Sequence, residues 1–218
     1  MMSSGTRKNW APRAFPSDPQ AAARLSEWIQ EECEGGLDAI GLDLSNADLS
    51  EGVFSECWFI DAKLVNIKLI GADLYRSNAE GADFSGADLT RSSLVRVNLD
   101  DTVLRGAILD GADLVKASMY GTDASHASFR GAHIMGADLL DANLRGADLS
   151  HAVLQENPFR VTLDHRTILQ GLSGTLFGPV NLFEEGVGDE LGGSELEKWL
   201  NDRGGNVRVL SGGRGREG

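Results

Sequence analysis

GADLYRSNAEGADFSGADLTRSSLVRVNLDDTVLRGAILDGADLV, residues 71–115, sets a large apolar residue at every fifth position. The register runs outward from this stretch in both directions. It starts at Leu44 and ends at Phe159, 24 consecutive positions without slippage, fifteen of them Leu and five Phe. Ala79, Met119, Ala124 and Ile134 are the exceptions. Two residues before each central position sits a second selected one. It is alanine in fourteen cases, such as Ala47, Ala62, Ala82 and Ala147, and elsewhere mostly another small residue, such as Gly52, Ser92 or Thr102.

A period of five fits neither a helix, which repeats at 3.6, nor a flat strand, which repeats at 2. A fixed period sustained this long is the signature of a repeat architecture. One large and one small inward residue per five suit a chain that turns a corner in every repeat. The large residue fills a narrow interior, and the small one lets backbone approach backbone. The runs GADLY, GADFS, GADLT, GADLV and GADLS resemble the pentapeptide-repeat family, whose motif is A-(D/N)-L-x-x. The resemblance implies an all-β repeat solenoid, a right-handed quadrilateral β-helix with four pentapeptides to a coil. It also implies that the central Leu or Phe and the Ala two before it point inward. About six coils follow, and at a strand spacing of about 4.8 Å the rod is about 29 Å long.

The rest of the sequence bounds the remainder. A net charge of −13 argues against gripping a nucleic-acid backbone, which needs excess Lys and Arg, and favours cationic partners. No apolar run approaches the roughly 18 residues that span a bilayer, and no secretory leader is legible behind MMSSGTRKNWAPR, so a cytoplasmic protein without membrane contact is expected. Cys33 and Cys57 read as two reduced thiols, not as a disulfide or metal pair.

In chain order, residues 1–16 have no periodicity and read as a disordered tail. Residues 17–36 read as a capping helix: Ser17-Asp18-Pro19 starts it, Leu25, Trp28 and Ile29 form its apolar face, and Gly35-Gly36 ends it. The open end of the first coil is the simplest place to bury that face. A docking helix for a partner is the rival reading. Residues 37–169 are the repeat unit, with Asp164 falling at a central position near its end. Residues 170–210 form a small α/β appendage, with a helix over about 194–203 opened by a Ser194/Glu197 capping box and a strand over 207–210. Leu196, Trp199 and Leu200 stripe that helix. It caps the last coil, folds back along the rod, or makes a dimer contact; the sequence leaves these open. Residues 211–218 read as a disordered tail.

Twenty residues per coil, the geometry that the resemblance implies, sorts the outward positions onto four faces. The face centred on Phe59, Ala79, Leu99, Met119 and Leu139 carries Asp61, Glu80, Asp100, Asp101, Asp138 and Asp141, with Arg160 as its only base. Each of the other faces carries three bases. The Asp just before a central Leu recurs on every face and is expected to bond backbone at the corner. Without that position the first face keeps five acids, the Leu49 and Phe54 faces two each, and the Leu44 face none. The neighbouring face stacks Tyr75, Val95, Val115 and Met135 beside Arg76, Arg96 and Lys116. β-propensity accounts for such a column, and so does a contact with the C-terminal segment or a second chain.

No catalytic constellation emerges. His126, His133, His151 and His165 lie on different faces or outside the rod, no serine has a His/Asp partner by motif, and the Gly-x-Gly element at 186–188 lacks the strand–helix context of a phosphate loop. No enzyme activity, cofactor or metal is expected. The expected function is a protein-interaction scaffold with an unidentified protein partner. The family resemblance adds an alternative, a DNA mimic that binds a type II topoisomerase such as gyrase and modulates or protects it. A homodimer through the appendage or the Val95/Val115 face is compatible with either.

Overall fold

The computed structural model describes residues 10–31, 35–184 and 187–210. Residues 1–9 and 211–218, both expected to be tails, lie outside the described residues, as do Cys33 and the start of the 186–188 element. The chain forms α1 (Pro19–Gln30), a long stack of coils, and a C-terminal set of β1 (His133–Met135), β2 (Val153–Pro158), β3 (Thr162–Leu163), β4 (Ser173–Phe177), β5 (Val180–Glu184), β6 (Val187–Leu191), α2 (Gly193–Asp202) and β7 (Asn206–Val209).

The coil length is direct. Single parallel bridges join Asp43 to Lys63, Lys63 to Asp83, Asp83 to Val103 and Val103 to Asp123, always 20 residues apart. The central residues, and from Ala47 on the residues two before them, are buried, as with Leu104, Ala107, Leu109 and Ala112. One repeat shows how the motif satisfies its backbone. Leu89 N–H donates to Ile108 O in the next coil at 2.7 Å, Arg91 N–H to Asp110 O at 2.9 Å, and Ser93 N–H to Ala72 O in the previous coil at 2.9 Å. Ser92 N–H closes the corner onto Leu89 O at 3.1 Å. The remaining donor, Thr90 N–H, is taken by the Asp88 carboxylate at 3.0 Å. All five backbone donors are paired, as a structure without long strands requires. Asp or Asn at this position is thus part of the frame: the same bond recurs from Tyr75 to Asp73, Glu80 to Asn78 and Leu140 to Asp138. The third residue of each corner is left-handed, for example Arg76 at φ 57° and Arg96 at φ 59°, which with the i to i+3 bond makes a type II turn.

The N-terminal end is closed by more than a helix. Asp18 caps α1 by accepting from Ala21 N–H, and the helix buries Ala21, Leu25 and Trp28. Trp28 stacks on Phe54 with ring centroids 5.6 Å apart. Residues 10–16 are not a tail. Trp10 meets the same Phe54 edge-on at 5.3 Å and donates from Nε1 to Ser50 O at 2.9 Å. Ala14 bridges Asp48 in antiparallel fashion, and Pro16 is buried. Gly52 makes room for this: a Cβ there would sit 2.8 Å from the Trp10 ring. Leu37, large at a small-residue position, is buried, and Leu42 packs half-buried against the core.

The register slips near the end of the stack. Asn143 pairs with Thr162, 19 residues on, while Asp148 pairs with Ile168 at the usual 20. Leu163, not Asp164, therefore takes the central position, and it is buried. Asp164 moves to the corner, where its carboxylate accepts from the backbone N–H of Gly146, Arg166 and Thr167. Around this point β1, β2, β4 and β7 form one parallel sheet, and β3, β5 and β6 another in which β6 runs antiparallel. α2 starts one residue earlier than the sequence suggests, and its N-cap is Gly192 with no side-chain cap. The Ser194/Glu197 capping box does not form. Glu197 instead accepts from Val209 N–H at 2.9 Å, so a tertiary donor takes the carboxylate from the local one. Leu196 and Leu200 are buried, β7 pairs with β4, and Gly171 N–H donates to Gly204 O at 2.7 Å, so the appendage closes onto the end of the rod.

Candidate interaction faces

Asp61, Glu80, Asp100, Asp101, Asp138 and Asp141 lie on one side of the rod, because each falls at an outward position of the same 20-residue ladder. The structure divides their roles. Asp138 bonds its own corner at Leu140 N–H. Asp100 accepts from the Ser118 hydroxyl and from Tyr120 N–H at 2.9 Å, which ties two coils together. Asp141 is paired bidentately with Arg160 at 3.0 and 3.1 Å, and this partner holds the guanidinium above its ordinary range. Asp61, Glu80 and Asp101 are exposed and direct charge outward. Asp61 and Asp101 sit at left-handed corners, φ 54° and 55°, each laid over the glycine of the next coil.

The same side carries large apolar residues that a tally of charge overlooks. Ile40, Trp58 and Tyr120 are 49, 46 and 46 % exposed. Their signal was present in the same column sorting. Ile40 also edges a groove of about 360 Å³ between α1 and the first coil, lined by Gln20, Ala23, Arg24, Glu27, Asp38 and Leu42.

On the neighbouring face Tyr75, Val95, Val115 and Met135 are half-buried, and Arg76, Arg96 and Lys116 are exposed at corners. The Arg76 guanidinium lies 5.4 Å from the Tyr75 ring centroid. The described part of the C-terminal segment does not cover this column. β2, β4 and β7 stack on beyond Met135 and continue the face. In α2, Leu196 and Leu200 are consumed inside the chain, and Trp199 is half-buried with Arg203 3.9 Å over its ring.

Elsewhere the polar groups are structural. Ser77, Ser92 and Thr102, buried at small-residue positions, donate to the carbonyls of Leu74, Leu89 and Leu99. Asp123 is held below the usual carboxylate range. Partial burial pushes the other way but is outweighed by bonds from Arg105 and Ser125. Among the described residues no three His, Cys, Asp or Glu side chains gather as a metal site, and no helix is long and apolar enough to cross a membrane.

A family model described as pentapeptide repeats, in eight copies, matches residues 53–91, 67–106, 98–134 and 125–156. Among solved structures the chain is similar to HetL, a pentapeptide repeat protein involved in heterocyst differentiation regulation from Nostoc sp. strain PCC 7120, at 22% identity over 66% of this chain and 77% of that one, TM-score 0.37. A pentapeptide repeat protein of the Arabidopsis thaliana thylakoid lumen aligns at 32% identity over 50% of this chain and 68% of its own, TM-score 0.34. QnrB1, a plasmid-mediated fluoroquinolone resistance protein, aligns at 19% identity over 64% and 69%, TM-score 0.42. No curated protein sequence matches significantly. The 20-residue coil, the A-(D/N)-L frame and the family match lead to one assignment: the chain belongs to the pentapeptide-repeat family and is built as a right-handed quadrilateral β-helix.

Proposed function

We propose that the protein is a non-enzymatic, cytoplasmic interaction scaffold whose acidic face binds a cationic surface of a protein partner. The observation that carries this reading is the outward carboxylate set Asp61, Glu80 and Asp101, held at fixed spacing on a rigid frame. Rigid presentation lowers the ordering cost of association, and concentrated charge raises its rate. The test is affinity capture from cell extract with the native chain, with Asp61→Asn/Glu80→Gln/Asp101→Asn, and with Glu51→Gln/Glu56→Gln/Glu156→Gln on other faces. The reading expects a partner held by the native chain and the second variant and lost from the first. Equal capture by all three removes it.

A specific count favours the topoisomerase alternative as a second reading. Six carboxylates against one guanidinium leave five net negative charges between Asp61 and Asp141. That is four coil rises, about 19 Å, over which one DNA strand carries about six charges. A gyrase supercoiling assay with and without a fluoroquinolone decides it, because neither inhibition nor protection at micromolar protein removes the reading. For a homodimer, the half-buried Tyr75/Val95/Val115/Met135 column is the apolar surface to test, since Leu196 and Leu200 are buried in the chain. Sedimentation of Val95→Glu/Val115→Glu tests that.

A further inference from the structure

The acidic face has apolar ends. Along its outward positions Ile40, Trp58 and Ile60 cluster on the first coils, and Tyr120 and Leu140 on later ones, with Glu80, Asp100 and Asp101 between. Exposed Ile40, Trp58 and Tyr120, with half-buried Ile60 and Leu140 beside them, flank a charged centre, the composition of a binding surface in which buried anchors supply most of the affinity. Resting on the acidic-face reading, we propose that this face takes a basic amphipathic α-helix of a protein partner laid along the rod. One apolar side chain seats against Trp58 and Ile60, and another, eleven residues later, against Tyr120 and Leu140.

Three observations select this occupant. The inter-coil ladder of the face is closed by its own coils: Asp61 N–H donates to Glu80 O, Gly81 N–H to Asp100 O and Asp101 N–H to Tyr120 O. A partner strand therefore finds no edge to pair with, whereas a helix satisfies its own backbone. The spacing matches. Ile60 to Tyr120 is three coil rises, about 14 Å, and Ile60 to Leu140 is four, about 19 Å. Eleven helical residues rise about 16.5 Å over three turns, so both anchors stay on one side. The charge requires Lys or Arg between the anchors. Neither helix among the described residues lets a second copy of this chain supply such a helix, since α2 reads GSELEKWLND and α1 carries Arg24 as its only base.

The test uses two labelled 18-residue Ala/Lys peptides, one with Leu at its positions 4 and 15 and one with Ala there, titrated against the full chain by fluorescence anisotropy. The Leu peptide is expected to bind about tenfold tighter to the native chain. The two peptides are expected to agree within about twofold on Trp58→Ala/Tyr120→Ala. Tyr120→Ala alone serves as a second variant, with an intermediate ratio, should the double variant fail to fold. Equal binding of both peptides to the native chain overturns the inference, and so does an undiminished Leu preference in the variants. If both peptides bind equally but are lost from Asp61→Asn/Glu80→Gln/Asp101→Asn, the acidic-face reading survives alone. If neither peptide binds the native chain, both fall.

Discussion

Replacing Gly81 with Ala tests the corner geometry and the placement of Asp61 together. Gly81 sits at φ +67°, and a Cβ added there would lie 2.6 Å from Asp61 Oδ1. Gly106 is the control, at φ +62° with nothing within 4 Å of its added Cβ. At either corner a left-handed alanine costs about 1–2 kcal/mol. The loss of glycine's unfolded-state freedom returns about 0.5–1 kcal/mol. Gly106→Ala should therefore destabilise by roughly 0.5–1 kcal/mol. Gly81→Ala adds the cost of driving the Asp61 side chain off its rotamer, about 0.5–1.5 kcal/mol. For a chain of this length 1 kcal/mol shifts Tm by about 2–4 °C, so thermal melts followed by circular dichroism should fall by roughly 2 °C for Gly106→Ala and roughly 5 °C for Gly81→Ala. Adding Asp61→Ala should reduce the Gly81→Ala penalty to that of Gly106→Ala. Equal melting of the two single variants would refute the placement of Asp61 over the next coil. No change in either would refute the left-handed corner.

Trp10→Ala should destabilise by roughly 3 kcal/mol in urea denaturation, because it removes an aromatic contact with Phe54 and the bond to Ser50 O. A freely mobile segment would show no change. Asp164 makes stability pH-dependent. Burial raises its pKa, but the backbone donors of Gly146, Arg166 and Thr167 outweigh this and leave it below the ordinary 3.8. Its stabilisation is therefore present above about pH 4 and is lost as pH falls through the depressed folded-state value. Asp164→Asn should flatten the acid limb of a stability–pH curve, and an unchanged limb would contradict this.

The periodic part of the fold was legible because every central residue obeys one local rule. Leu44 through Leu154 can be read without knowing any distant contact, and the Asp that recurs before central residues bonds its own corner as turn chemistry implies. What escaped depends on distant or compensating contacts. Trp10 carries no periodic signal, since its partners Ser50 and Phe54 lie some 40 residues on. The slip that places Leu163 inward is cancelled before Leu169, so the later register conceals it. Glu197 fits a local capping pattern, yet Val209 N–H competes for it. The acidic side was legible as a count of charges. Its division was not: which carboxylates are committed to backbone or to Arg160, and which face solvent, depends on neighbours a full coil away.

Carboxylate labelling of the captured complex bears most directly on where the partner sits. Free and bound protein would be treated with a water-soluble carbodiimide and a nucleophile, and each labelled side chain quantified by mass spectrometry. The account predicts strong protection of Asp61, Glu80 and Asp101, with Glu51, Glu56 and Glu156 labelled as in the free chain. Protection centred on Glu51, Glu56 or Glu156, or spread evenly over all six, would contradict it.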